Sequence, residues 1–73
     1  MAEIEVLSEV TGSVWKLFVQ VGQKVKEDET LMILESMKME IPLCAPEDGV
    51  IKRICAEEGA QISEGDLACV IVV

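Results

Sequence analysis

The sequence has 73 residues, of which 51% are hydrophobic, and a formal net charge of −8. These values are typical of one small acidic domain, here residues 1–73. Its six Lys and Arg residues are scattered, whereas nucleic-acid binding needs clustered positive charge, so no nucleic-acid partner is expected. The chain has no histidine, no phosphate-binding glycine loop and no nucleophile–base set. We therefore predict a carrier or interaction module without catalytic residues rather than an enzyme.

The cysteines and the apolar segments predict a cytoplasmic protein. Three cysteines without a CxxC pair support neither a disulfide framework nor a zinc site. We interpret Cys44, Cys55 and Cys69 as reduced, mostly buried thiols. No signal peptide is evident, and the longest apolar run, residues 67–73, is too short to cross a bilayer, so no membrane partner is expected.

Short strands are predicted along the whole chain. Polar and apolar residues alternate at positions 3–7, as they do in a half-buried β-strand. Gly12 opens a second predicted strand, residues 13–19, and we interpret its Trp15 as a packing residue rather than a functional one. Glycine turns and acidic turns separate the later strands. The acidic turns lack the spacing of a calcium loop, so no metal site is predicted, and no segment has the periodicity of a helix.

The chain contains an internal repeat with an offset of 37 residues, half its length. The matching pairs are Gly12 and Gly49, Val14 and Ile51, Lys16 and Arg53, Leu17 and Ile54, Gly22 and Gly59, Val25 and Ile62, Glu27 and Glu64, and Ile33 and Val70. Two such halves predict two similar small sheets that pack together with approximate twofold symmetry. Lys38 lies at the junction between the halves.

The centre of the sequence predicts a β-hairpin. Residues 35–40 join two short apolar runs, residues 30–34 and 41–44. If Met37 and Lys38 are the two central residues of the turn, the apolar positions coincide across the strands. The predicted pairs are then Ser36 with Met39, Glu35 with Glu40, Leu34 with Ile41, and Met32 with Leu43. Pro42 lacks a backbone donor and therefore belongs on an edge strand.

The turn contradicts local conformational preference, which indicates a functional site. Two-residue hairpin loops favour Asn-Gly or Asp-Gly, whose backbones accept positive φ, yet Met37 and Lys38 carry long side chains. Glu35 directly opposite Glu40 adds like-charge repulsion. The sequence breaks two local preferences here, for the residues of the turn and for the charges that face each other across the strands. This favours a functional role for Lys38. The alternative is a surface lysine between two methionines that pack back onto the barrel.

The residues around this turn resemble the attachment region of biotinyl domains, the biotin carboxyl carrier proteins of biotin-dependent carboxylases and decarboxylases. The hallmark of that family is a lysine between two methionines, followed by an Ala-Pro-x-x-Gly-Val turn. Here these are Met37-Lys38-Met39 and residues 45–50. The resemblance extends over essentially the whole chain, because glycines also recur at family-like spacing at Gly12, Gly22, Gly59 and Gly65.

The resemblance implies an all-β fold, a flattened barrel of two four-stranded antiparallel sheets with the lysine exposed on a hairpin opposite the chain termini. It also implies that biotin protein ligase joins biotin through an amide to Lys38. A biotin carboxylase then adds a carboxyl group to the tethered biotin at the expense of ATP. A carboxyltransferase passes that group to an acceptor such as an acyl-CoA or pyruvate. The domain is the swinging arm between these two enzymes.

The resemblance also suggests roles for the residues beside the lysine. Glu35, Ser36 and Glu40 are predicted to form the surface that the ligase recognises. Met37 and Met39 are predicted to make soft contacts with the ligase and to favour biotin over lipoate. Ser36 replaces the alanine or valine that is frequent in the family. The segment at residues 20–23 is too short for the protruding thumb of some bacterial acetyl-CoA carboxylase carriers, which argues against that assignment.

Two other functions remain open. A lipoyl carrier has the same fold and carries lipoate on the same lysine, and Glu-Ser-x-Lys at residues 35–38 resembles an attachment site of the glycine-cleavage carrier. Met37 and Met39 argue against that function. An unmodified binding module of the type found in membrane-transport adaptors usually lacks the central lysine and sits within a longer chain. A start at Met1 that runs almost directly into a strand favours a free-standing carrier over an excised carboxylase domain.

Overall fold

A computed structural model describes residues 2–73, and the regular structure of this part of the chain consists of β-strands. The eight strands are β1 (Glu3–Leu7), β2 (Gly12–Leu17), β3 (Lys24–Val25), β4 (Thr30–Ser36), β5 (Met39–Cys44), β6 (Gly49–Ile54), β7 (Gln61–Ile62) and β8 (Leu67–Val72). Within residues 2–73 no helix could span a membrane. Met1, on which the expectation of a free-standing carrier depends, lies outside the described residues.

The strands form two antiparallel sheets of four strands each, which confirms the predicted fold class. We call the sheet with the order β1-β8-β6-β3 the terminal sheet, and the sheet with the order β5-β4-β2-β7 the hairpin sheet. The hairpin sheet contains the predicted central hairpin, β4 and β5. Pro42 lies in β5, which is an edge strand, as its missing donor predicts.

The internal repeat is an approximate twofold symmetry of the fold. Adding 37 to the residue numbers of β1 to β4 gives β5 to β8 to within one residue at the strand ends, and the two sheet orders correspond strand by strand. The correspondence includes a bulge. The register of β2 against β4 shifts between Val14 and Lys16, and that of β6 against β8 shifts between Ile51 and Arg53. Residues that are 37 positions apart therefore occupy equivalent places in the fold and can be compared directly.

The core lies between the sheets and is aliphatic. The inner strands β4 and β8 contribute most of its fully buried side chains. Those from β4 and β8 are Leu31, Met32, Leu34, Ala68, Cys69 and Ile71. Neither aromatic residue belongs to this core, because Trp15 is 46% exposed and Phe18 is 54% exposed. The interpretation of Trp15 as a packing residue is therefore wrong. Trp15 is the extra residue of the β2 bulge, and bulges often redirect a side chain away from its usual face.

Two glycines lie inside strands, because neighbouring strands approach them closely. Gly12, which was expected to open the second strand, is the first residue of β2. A Cβ atom at Gly12 would overlap the backbone oxygen of Glu35 in β4. In the other half, a Cβ atom at Gly49 would overlap the Ile71 side chain and lie 2.6 Å from the backbone oxygen of Val72. Close packing of strands thus requires glycine at these two positions.

The three cysteines differ in exposure, which corrects the expectation that they are mostly buried. Cys69 is buried, Cys44 is half-buried and Cys55 is exposed, and all three are free thiols. Burial raises the pKa of the Cys69 thiol to about 11, and the nearby Cys55 contributes to the increase.

This difference predicts stepwise alkylation by excess iodoacetamide at pH 8. We expect Cys55 to react first, Cys44 more slowly, and Cys69 only after unfolding, because the thiolate is the reactive form and must be accessible. Time-resolved mass spectrometry counts the adducts, and Cys55→Ser should remove the fast phase. Rapid alkylation of Cys69 in the native protein would contradict the buried position of its thiol.

Candidate functional site

The central hairpin ends in a two-residue turn whose backbone is strained. Met37 has a φ of 53° and Lys38 a φ of 66°, so both residues adopt the left-handed conformation that a type I′ turn requires. The predicted register is confirmed, with the pairs Ser36–Met39, Glu35–Glu40, Leu34–Ile41 and Met32–Leu43. Two long side chains therefore occupy backbone positions that normally favour Asn and Gly.

The two turn residues and the first residue of β5 are exposed to solvent. Lys38 is exposed, Met37 is 92% exposed and Met39 is 64% exposed. The methionines therefore do not pack back onto the barrel, and the alternative explanation of this turn is wrong in that respect. An exposed methionine side chain adds little buried apolar surface to the folded domain. Its position therefore suits contact with another molecule.

Two exposed carboxylates flank the turn. Glu35 and Glu40 face each other across β4 and β5, and the same row of the sheet continues through Ser13 in β2 to Gln61 in β7. In the described part of the chain, the one ion pair joins Lys52 and Glu3 in the terminal sheet, where the hydrogen bond and charge of Lys52 lower the pKa of the Glu3 carboxyl. Lys38 takes no part in that pair.

The base of the hairpin is held by contacts that link distant parts of the chain. The Ser36 hydroxyl donates a hydrogen bond to the backbone oxygen of Thr11 at 2.8 Å. The Thr11 hydroxyl accepts one from the backbone N–H of Glu64 at 2.9 Å, and Gly12 lies directly against Glu35. Sequence reasoning missed Thr11 as a supporting residue, since no local pattern indicates that it meets Ser36.

The turn lies at the opposite end of the molecule from the chain termini. Val73 donates a backbone hydrogen bond to Ala2 at 2.9 Å, and its side chain lies beside Gly49. At that end Glu27 also donates its backbone N–H to Asp48 at 2.7 Å, three residues before β4 begins. β4 then runs for seven residues toward the turn. The molecule is 36 Å long and 18 by 16 Å across, so Ala2 and Val73 lie far from Lys38.

The arrangement at the turn suits an acceptor of a covalent group. The chain lacks histidine, and among residues 2–73 no cluster of three or more Cys, Asp or Glu side chains could hold a metal ion. Two open grooves, one between β1 and β5 and one beside β3 and β6, are not lined by residues of the turn. What the site offers is a primary amine at the tip of a rigid hairpin, which can become an amide without any change in the fold.

A comparison with protein families and known proteins finds one consistent group of relatives. Residues 3–71 match the model of a family described as "Biotin-requiring enzyme". The "Biotin/lipoyl attachment protein" of Bacillus subtilis (strain 168) is 39% identical over 59 residues, 81% of each chain. The "Biotinylated protein TB7.3 homolog" of Mycobacterium leprae (strain TN) is 39% identical over 71 residues, covering 97% of this chain and 99% of the relative.

Much longer proteins also contain a matching segment. The "Pyruvate carboxylase" of Staphylococcus aureus is 45% identical over 60 residues, which are 82% of this chain but 5% of that protein. The crystal structure of the Kluyveromyces lactis urea carboxylase contains a segment that superimposes with a TM-score of 0.91 at 33% identity. The superposition covers 99% of this chain and 6% of the carboxylase chain. The chain thus spans a small fraction of its multidomain relatives and nearly the full length of its small ones.

Proposed function

We propose that Lys38 is the residue to which biotin is covalently attached, because this chain belongs to the biotin-attachment family described as "Biotin-requiring enzyme". It is a biotin carrier domain, homologous to the corresponding segments of biotin-dependent carboxylases. The observation that carries the assignment to Lys38 is the turn geometry. An exposed lysine is held at a φ of 66°, although glycine or asparagine would fold more readily there.

The residues of the turn fit an amide-linked cofactor. Attachment converts the Lys38 amine into a neutral amide. The fold tolerates this change, because Lys38 is exposed and takes no part in the ion pair described above. The amine attacks an activated carboxyl group, the activating group leaves as the amide forms, and the ligase accepts the proton that the nitrogen loses. Bound biotin supplies the ring that accepts and releases a carboxyl group. The domain presents the arm, which is the Lys38 side chain with its attached biotin. The rigid hairpin fixes the position of the Lys38 backbone, from which the arm extends.

The neighbouring side chains divide into two roles. Glu35 and Glu40 are exposed on either side of the turn, so they offer negative charge to a ligase with a basic entrance to its active site. Met37 and Met39 offer adaptable apolar contacts at the same entrance. Ser36 acts differently, because its hydroxyl is already bonded to Thr11. Ser36 is therefore a positioning residue that fixes the hairpin for recognition.

The partners follow from the carrier role. Biotin protein ligase modifies the domain, and a biotin carboxylase and a carboxyltransferase use it in turn, so that the tether raises the local concentration of the shared cofactor at both active sites. The domain is a single cytoplasmic unit over residues 1–73 that catalyses no step itself. Lipoate is the competing cofactor, since one relative is named for attachment of both groups.

The intact mass of the protein purified from its own host distinguishes these functions. We expect an increase equal to biotin less one water, and its complete absence in Lys38→Ala prepared in the same way. Lys16→Ala is the control, because Lys16 is an exposed lysine of the same sheet. It should retain the increase. An increase equal to lipoate less one water would replace biotin by lipoate, and an unmodified protein in the presence of excess ligase and biotin would refute the carrier function.

A further inference from the structure

The outer face of the hairpin sheet carries exposed apolar side chains beside the hairpin. Trp15 and Phe18 are 46% and 54% exposed, Ile33 is half-buried and Pro42 is exposed. We call these four residues the Trp15 patch. Ile33 is paired with Lys16 in β2 and with Pro42 in β5, so the patch crosses the three adjacent strands β2, β4 and β5.

The twofold symmetry shows that the fold does not require the two aromatic residues and the proline of this patch. The positions equivalent to Trp15, Phe18 and Pro42 in the other half are Lys52, Cys55 and Glu5. Strand order, register and bulge are the same around both sets. The terminal sheet therefore folds with a lysine, a cysteine and a glutamate where the hairpin sheet has two aromatic residues and a proline. Exposed aromatic side chains without a structural need are typical of binding surfaces.

Carboxylates border the Trp15 patch on two sides. Glu35 and Glu40 lie between the patch and the turn. On the other side, the Glu58 carboxylate accepts a hydrogen bond from the backbone N–H of Leu17 at 2.9 Å, beside Trp15 in β2. Within the strands of the hairpin sheet the one basic residue is Lys16, whose Nζ lies 5.5 Å from the centre of the Trp15 ring. The complementary surface on a partner has an apolar centre and a basic rim.

The distance from the patch to the turn favours a partner that reaches the lysine itself. Ile33 precedes Lys38 by five residues, and a strand rises about 3.3 Å per residue, so the patch begins roughly 15 Å from the turn. An interface of about 800 Å² per partner is roughly 30 Å across and covers both. An enzyme that acylates the lysine amine must approach the turn this closely, whereas an enzyme that acts at the far end of a tethered cofactor need not.

We propose that the Trp15 patch is the docking surface for biotin protein ligase, with Trp15 and Phe18 as its apolar anchors and Glu35, Glu40 and Glu58 as its charged rim. This proposal rests on the attachment of biotin to Lys38. Trp15 contributes to formation of the complex and not to chemistry at the amine. Loss of the indole ring therefore raises KM for the carrier domain and leaves kcat unchanged.

The test measures initial biotinylation rates against carrier concentration, with purified ligase of the same host, biotin and ATP. For Trp15→Lys we expect KM to rise at least tenfold and kcat to stay within twofold of wild type. The substitution introduces the residue found at the equivalent position 52, and thermal unfolding checks that the fold is retained. Trp15→Gln separates loss of the ring from added charge, and Phe18→Ser tests the second anchor. Leu7→Lys is the matched control, since Leu7 is also 46% exposed but lies in the terminal sheet.

The outcomes separate this proposal from the function on which it rests. If wild type is biotinylated at Lys38 and both Trp15→Lys and Phe18→Ser keep the wild-type KM, the docking surface is refuted and the attachment site stands. An equal rise of KM in Leu7→Lys would trace the effect to added positive charge and also refute the patch. A wild-type domain that accepts no biotin would refute both proposals.

Discussion

Gly12→Ala should lower the rate of biotin attachment at least tenfold, whereas Gly49→Ala should leave it within about twofold. A Cβ atom at position 12 would overlap the Glu35 backbone oxygen and lie 3.2 Å from the Ser36 Cβ, so β4 must move where it enters the turn. Position 49 has the same role at the other end of the molecule, against Ile71 in β8. Each variant should lose about 1–3 kcal/mol of stability, the usual cost of overpacking.

The pair of variants separates damage to the site from loss of stability. Urea unfolding gives the fraction folded, and the biotinylation rate is divided by that fraction before comparison. The repeat makes the two glycines equivalent in the fold, so a similar loss of stability with a much larger loss of rate in Gly12→Ala supports a role of Gly12 in positioning the hairpin. Equal normalised rates in the two variants would mean that the position of the turn does not depend on the contact of Gly12 with Glu35.

Lys38→Gly should abolish attachment and at the same time stabilise the domain by about 0.5–1 kcal/mol. Lys38 has a φ of 66°, and the left-handed conformation costs an ordinary residue roughly 1–2 kcal/mol. Glycine removes that cost and loses part of the gain through the greater freedom of its unfolded chain. If a residue is retained for its chemistry rather than for folding, its replacement is expected to stabilise the protein and to eliminate function.

Asp28→Gly is the matched control for this variant. Asp28 has a φ of 70°, and its equivalent in the other half is Gly65, with a φ of 89°. Asp28→Gly should therefore stabilise the domain by a similar amount, and attachment should continue at the wild-type rate, because the acidic turn lies away from Lys38. Urea midpoints and intact masses measure both properties. A lower midpoint for Lys38→Gly would contradict the description of the turn as strained.

Local pattern was sufficient to predict the central hairpin and its register because the hairpin is made of consecutive residues. The pairing of Glu35 with Glu40 followed from matching apolar positions on either side of the turn, and the structure has that register. The repeat predicted two equivalent sheets for the same reason, since a 37-residue offset aligns glycines and buried positions directly. The internal repeat of the sequence therefore corresponds to the matching strand orders of the two sheets.

Features that depend on contacts between distant residues could not be predicted. Gly12 was expected to open the second strand, yet the reason for a glycine there is its contact with Glu35, which is 23 residues later in the chain. Trp15 was expected to be a packing residue because aromatic side chains bury large areas in most folds. The bulge in β2 places it on the solvent side instead, and a bulge has no signature in the alternation of polar and apolar residues.

Localisation of the adduct tests the central claim most directly. The domain, biotinylated in its own host, would be cleaved with a protease that does not depend on lysine, and the peptides would be fragmented by tandem mass spectrometry. We predict biotin on the peptide that contains Met37-Lys38-Met39 and on no peptide that contains Lys16, Lys24, Lys26 or Lys52. Biotin on one of those four lysines, with Lys38 unmodified, would contradict the assignment of the hairpin turn as the attachment site.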